Sequence, residues 1–235
     1  MAKAPVRERI VRAAAELLTK GGRDAVSTRA VSAAAAVQAP AIYRQFGDMQ
    51  SLLEEAARKV LADYVRSKAK RRPSEDPLDD LRRGWDEHIA FGVANPDAYA
   101  ILYGGAEQSA AGREGLAILE SLLTRIAEAG RLRMNVSDAL RLVHAGGTGV
   151  VFSLISAPDP RLSELMRETL LAAITETAPS PPRTTKRIAP RAIALRTVLP
   201  EAHRTLSAGE RQLLAEWLDR LAAADDEQPC HGRSS

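Results

Sequence analysis

The sequence predicts an all-α fold. Alanine, leucine, arginine and glutamate dominate its 235 residues, alternating β-branched runs are absent, and proline falls mainly between apolar-periodic segments. A chain of this length buries one sizeable core or two small ones, and 45% hydrophobic content suits a globular protein.

The elements follow in order. Val6, Ile10, Ala14, Leu17 and Leu18 mark one face of a first helix, which Gly21 and Gly22 end. Short helices are expected from Thr28 to Ala35 and from Gln38 to Phe46. Asp48 is placed to cap a long helix carrying Leu52, Leu53, Ala56, Val60, Leu61 and Tyr64. The cations Lys68, Lys70, Arg71 and Arg72 before Pro73 suit its C-terminal end. Asp76-Pro77, Asn95-Pro96 and Asp159-Pro160 each set an Asx cap before a proline in the first turn, framing helices near 77–94, 96–104 and 160–177. Apolar spacing adds helices near 112–130 and 137–156. After Ala178 the run PSPPRTTKR reads as an extended linker. Ser207 and Glu210 then form the capping box of a last amphipathic helix with Leu213, Leu214, Trp217, Leu218 and Leu221.

Charge is unevenly spread. The net charge of +3 resolves into +8 over residues 1–72, −7 over 73–179 and +2 over 180–235. A basic N-terminal block on an acidic body suits a polyanionic partner at one end. The N-terminus MAKAPVRERI has no apolar run after its charges, and no stretch nears 18 uninterrupted apolar residues, so a cytoplasmic protein without a membrane span is expected. One cysteine, Cys230 beside His231, gives no disulfide framework and too few ligands for a metal. The enzyme signatures G-x-S-x-G, H-E-x-x-H and G-x-x-x-x-G-K-[ST] are missing, so neither an enzyme nor a cofactor is expected.

Residues 27–53, STRAVSAAAAVQAPAIYRQFGDMQSLL, carry the strongest signal. Val31, Ala34, Val37 and Ile42 can pack two short helices on each other and on the first, leaving the second free for a major groove. The stretch resembles the helix-turn-helix of TetR-type transcriptional regulators, whose pattern V-x-x-P-x-I/L-Y-x-x-F is matched by Val37, Pro40, Ile42, Tyr43 and Phe46. The resemblance implies an N-terminal three-helix DNA-binding domain over 1–50, a helical ligand-binding and dimerisation domain over 51–178, and a linker and helical extension over 179–235. Thr28 and Tyr43 would meet phosphates. Arg29, Gln38, Ala39, Pro40, Ala41, Arg44 and Gln45 would meet base edges. Two positions depart from the family: Ala36 stands where the turn normally has glycine, and Met49 where a lysine usually follows the recognition helix.

The remaining expectations rest on the general family plan. Trp85, His88, Phe91, Tyr99, Tyr103 and Phe152, interspersed with His144 and Thr148, could line an apolar pocket with polar handles for a small-molecule effector. Gly146, Gly147 and Gly149 interrupt a helical segment at about 1 kcal/mol each relative to alanine, which close helix approach would offset. Leu140, Val143, Gly147, Val151 and Leu154 with Leu162, Leu165, Met166 and Leu170 are accordingly the candidate homodimer interface. Ile193, Leu195, Val198 and Leu199 with the Trp217 helix would fold the tail back on the body or on a partner subunit. The function implied is a repressor that leaves double-stranded operator DNA when its effector binds; a ligand-independent, architectural DNA-binding dimer is the alternative.

Overall fold

The computed structural model describes residues 5–104, 110–159, 161–176 and 188–223, Pro190 by its backbone only. Its helices are α1 (Val6–Gly21), α2 (Thr28–Ala35), α3 (Ala39–Phe46), α4 (Met49–Ala69), α5 (Pro77–Ala94), α6 (Pro96–Tyr103), α7 (Ala110–Glu128), α8 (Val136–Ser156), α9 (Leu162–Ile174), α10 (Ile188–Val198) and α11 (Ala208–Ala223). Among the described residues the one extended pairing is an isolated antiparallel bridge between Leu132 and Thr175, so the all-α expectation holds. The linker over 179–187 and the Cys230-His231 pair lie outside the described residues.

Most of the expected caps close their helices. The Asp48 carboxylate accepts from the Ser51 N–H at 2.7 Å, and that bond holds its carboxyl below the usual aspartate range. Asp76 accepts from the Leu78 N–H at 2.8 Å and Asp159 from the Arg161 N–H at 2.9 Å. Ser207 and Glu210 exchange the reciprocal pair of a capping box. Asn95 departs from expectation: its side-chain N–H group donates back to the Phe91 carbonyl at 2.9 Å, so it ends α5 instead of capping α6. The helix expected near 160–177 begins at Leu162 and stops at Ile174, where Thr175 enters the bridge. Helix α10 was not expected; Pro190 falls in its first turn, where a missing N–H leaves no helical bond unmade.

The chain divides into two compact units that cut across the sequential segments. The first comprises residues 1–72, 84–118 and 147–163. Its N-terminal core is Ile10, Ala14, Leu18, Val31, Ala35, Ile42, Leu52 and Ala56. Ala35, not the expected Ala34, takes the buried position on α2. Elsewhere in this unit α5 and α8 approach closely. A Cβ on Gly92 would lie 2.4 Å from Val151 Cγ1, and one on Gly147 would lie 3.3 Å from His88 Cδ2. Gly147 is therefore used inside the subunit, whereas a Cβ on Gly149 would meet nothing within 4 Å.

The second unit comprises residues 73–83, 119–146 and 164–235. Here Asp80, 10% exposed, accepts from Arg125 at 2.8 Å and from the Ser74 N–H at 3.0 Å. Arg131 pairs with Asp76, and Glu176 N–H donates to the Arg131 carbonyl, so the segment after α7 is clipped to the end of α9. Helices α10 and α11 form a hairpin around Ala192, Leu199 and Leu218. Ile193 is buried, but Leu195, Val198, Leu213, Trp217 and Leu221 are exposed.

Candidate nucleic-acid interface

Helices α2 and α3 are joined by Val37, Gln38 and a left-handed residue. Ala36 has φ 50° and ψ 55°, the conformation for which glycine is favoured. The turn is held by Val37 N–H to the Ser32 carbonyl at 3.1 Å, while the Arg9 guanidinium of α1 reaches the Ala36 carbonyl at 3.5 Å. Ser27 starts α2 by accepting from the Ala30 N–H at 3.2 Å. These bonds fix where α3 leaves the turn, and Ile42, fully buried, anchors it to the core.

With Ile42 inward, the helical period sets Pro40 and Arg44 opposite, Ala41 and Tyr43 to either side, and Ala39 and Gln45 nearer the seam. Exposure follows that geometry: Pro40, Tyr43, Arg44 and Gln45 are exposed, and Ala39 and Ala41 half-buried. Gln38 precedes the helix as an exposed residue without a side-chain cap. Thr28 and Arg29 lie at the start of α2, Arg29 exposed. Thr28 Oγ1 and the Tyr43 hydroxyl are 3.0 Å apart and share one hydrogen bond across the two helices. All nine sequence-predicted residues thus stand on or beside the two helices, none of them fully buried. Arg7 was missed; its guanidinium lies 5.0 Å from the Phe46 ring centroid, where it pairs with Glu55. Met49 is half-buried against the N-terminal core.

Behind this block lies the aromatic cluster. Tyr99 is fully buried, stacks on Tyr103 at 4.2 Å and meets the edge of Phe152 at 5.4 Å. Its hydroxyl and His88 Nε2 are 2.9 Å apart. Burial pushes the Tyr99 phenol far up, an effect that Thr148 partly offsets. Phe91 stacks on Tyr64 at 4.3 Å, and Trp85 Nε1 donates to Ser163 at 3.1 Å. Seven of the eight predicted pocket residues therefore belong to the first unit. His144 belongs to the second, where burial lowers its imidazole pKa. Tyr64 was missed because it reads as one of the apolar-face residues of the long helix that joins the two parts.

The candidate interface residues separate by burial. Val151 is fully buried against Gly92, Gly147 is buried against His88 and Trp85, and Val143 is only 8% exposed; these three are covered within the subunit, which corrects their assignment to a dimer surface. Leu140, Leu154, Leu162, Met166 and Leu170 are half-buried, and Leu165 is 66% exposed. Helix α8 is long and apolar enough to cross a membrane by length and composition alone, but its Val143, Gly147, Val150 and Val151 are buried in the protein.

Residues 10–56 match the family model for bacterial regulatory proteins of the tetR family. No curated protein matches the chain. Solved structures share its fold at low identity. A protein of unknown function from Rhodococcus sp. RHA1 is 17% identical with a TM-score of 0.60, the match covering 74% of this chain and 97% of that one. SmeT, the repressor of the Stenotrophomonas maltophilia multidrug efflux pump SmeDEF, is 23% identical with a TM-score of 0.54 over 77% of this chain and 95% of its own. The fatty acid degradation regulator FadR from Bacillus halodurans is 16% identical with a TM-score of 0.54 over 73% and 97%.

Proposed function

We propose that this chain, a DNA-binding transcriptional regulator of the TetR family by its residues 10–56, acts as a cytoplasmic homodimeric repressor that a small-molecule effector releases from operator DNA. One observation carries the DNA-reading part: α3 is anchored by the fully buried Ile42 and turns Pro40, Tyr43 and Arg44 outward. Arg29, Arg44 and Gln45 supply donors for base edges, Ala39 and Ala41 fit thymine methyls, and Thr28 and Tyr43 hold the phosphates. Segment 1–50 reads DNA, 51–178 senses and dimerises, and the remainder is a helical extension.

In the dimer, two α3 helices enter successive major grooves about one helical turn apart on a pseudo-palindromic site. Leu140, Leu165, Met166 and Leu170, left at the surface of α8 and α9, supply the apolar contact for a second copy. The effector occupies the aromatic cluster of Trp85, His88, Phe91, Tyr99, Tyr103, Thr148 and Phe152. Helix α4 supports the coupling: Leu52 and Ala56 at one end are part of the N-terminal core, and Tyr64 toward the other stacks on Phe91. An effector that binds the DNA-incompetent state more tightly by about 1–3 kcal/mol would release the operator.

Selection from random duplex DNA at fixed salt tests the reading. Recovery of a palindromic site is expected. Weak, salt-sensitive and sequence-indifferent binding would instead mark an architectural DNA-binding dimer.

A further inference from the structure

The inner face of α4 carries a cation with no paired carboxylate among the described residues. Lys68 Nζ lies 5.5 Å from the Tyr64 ring centroid and 3.4 Å from the Gly84 carbonyl of α5. One turn on, Arg71 forms an ion pair with Glu87, whose second carboxylate oxygen is buried without a hydrogen bond. Lys68, Arg71 and Glu87 together therefore hold one positive charge in excess. Beside them the Tyr64 hydroxyl is also buried without a partner, a donor with nothing to donate to. Such groups cost free energy unless something completes them. Tyr64 stacks on Phe91 at 4.3 Å, and the next residue, Gly92, lies against the Tyr99 ring, so the unfilled polar end adjoins the cluster that holds the stacked Tyr99–Tyr103 pair.

We infer that the effector is an amphipathic monocarboxylate, its carboxylate completing Lys68 and the Tyr64 hydroxyl and its apolar body lying along Tyr103 and Tyr99. A carboxylate supplies both missing partners at once, an anion for the ammonium and an acceptor for the phenol. A neutral ligand would satisfy the hydroxyl and leave the charge, and a cationic one would add to it. This identification rests on the effector-released reading given above.

The same charge deficit gives a proton signature. Burial, with repulsion from Arg71, lowers the Lys68 pKa to about 8. A carboxylate placed against it reverses that shift, so binding at pH 8 takes up part of a proton from solution.

The test is calorimetric titration of the full-length protein with naphthoate, decanoate and the neutral isostere naphthamide, at pH 8 in buffers of different ionisation enthalpy. At least one carboxylate should bind with net proton uptake and outcompete naphthamide by about tenfold or more. Lys68→Met should abolish the uptake and that preference while operator binding persists. Should that variant not fold, Tyr64→Phe should weaken the carboxylate several-fold and leave the uptake intact. Preference for naphthoate or for decanoate separates an aryl from an alkyl body. Equal binding of amide and acid, uptake that survives Lys68→Met, or no carboxylate binding at millimolar concentration overturns the inference. Carboxylate binding that leaves operator affinity unchanged would preserve this site and overturn release by effector. Release by neutral or cationic compounds alone would do the reverse.

Discussion

The hydroxyl of Tyr43 on α3 lies 3.0 Å from the Thr28 hydroxyl at the start of α2, so one hydrogen bond ties the exposed sides of the two helices together. Each hydroxyl keeps spare hydrogen-bonding capacity, and in the proposed complex both would meet a phosphate beside α3. Tyr43→Phe combined with Arg44→Ala should weaken operator binding by about 1–3 kcal/mol, roughly five- to 150-fold. Both side chains are exposed, so thermal unfolding should hardly change. Titration of labelled operator beside a melting curve checks both halves, and undiminished affinity would remove α3 from the recognition role.

Ala36 is the non-glycine residue with positive φ among the described residues. Its Cβ makes the left-handed turn unfavourable by about 1 kcal/mol, less what glycine loses in unfolded-chain entropy. Ala36→Gly should therefore raise the melting temperature by about 2–4 °C at most. Differential scanning calorimetry reads this directly, and a lower melting temperature would show the turn to be unstrained.

Met49 packs half-buried on the N-terminal core at the start of α4, next to the recognition helix. A lysine there keeps its aliphatic stem on the same surface and carries its ammonium to solvent. Met49→Lys should steepen the dependence of log affinity on log salt by about one unit. Operator titrations across a salt series measure the slope; an unchanged slope places position 49 away from phosphate.

Gly92 is the close-contact point of α5 against α8, with Val151 Cγ atoms at 2.4 and 2.8 Å and Tyr99 Cδ2 at 3.0 Å from where a Cβ would be. The crowding comes from a buried β-branched side chain and a buried ring, which have little room to yield. Gly92→Ala should destabilise the protein by about 1–3 kcal/mol through overpacking, outweighing its gain in helix propensity. Chemical denaturation checks this, and a stabilised variant would mean the two helices can part at little cost.

Asp80 gives a pH dependence. Burial pushes its carboxyl up, but hydrogen bonds from Arg125 and Ser74 outweigh it and leave the pKa below the usual aspartate value. A carboxyl depressed in the folded state stabilises the protein fully above its unfolded pKa, about 4, and loses that contribution as pH falls through the lower folded value. Asp80→Asn should lower stability at neutral pH and flatten the fall of melting temperature below about pH 4. A melting series on both proteins decides it; parallel curves would mean the network carries no linked proton.

The sequence alone determined all the helices but α10, most of their limits and the Val37-to-Phe46 pattern, because these are local properties. Capping by Asp48, Asp76 and Ser207 needs only neighbours three residues away or fewer, and an amphipathic period needs only its own segment. The Val37-to-Phe46 pattern is equally local, and its exposed side follows once Ile42 faces inward. What lay beyond it were choices between partners distant in sequence. Gly147 and Val151 read as an outward seam, and only the approach of α5, with Gly92 making room, turned them inward. Lys68 read as a C-terminal helix charge, and only the tertiary structure sets its half-buried ammonium against the Gly84 carbonyl and the Tyr64 ring, with no carboxylate paired to it among the described residues. His144 and His88 carry the same chemistry in similar helical contexts, yet Tyr99 meets His88 at 2.9 Å, and the two histidines fall in different compact units. Packing decides such matters because it depends on which surfaces fit each other, and spacing within one helix cannot encode the shape of another.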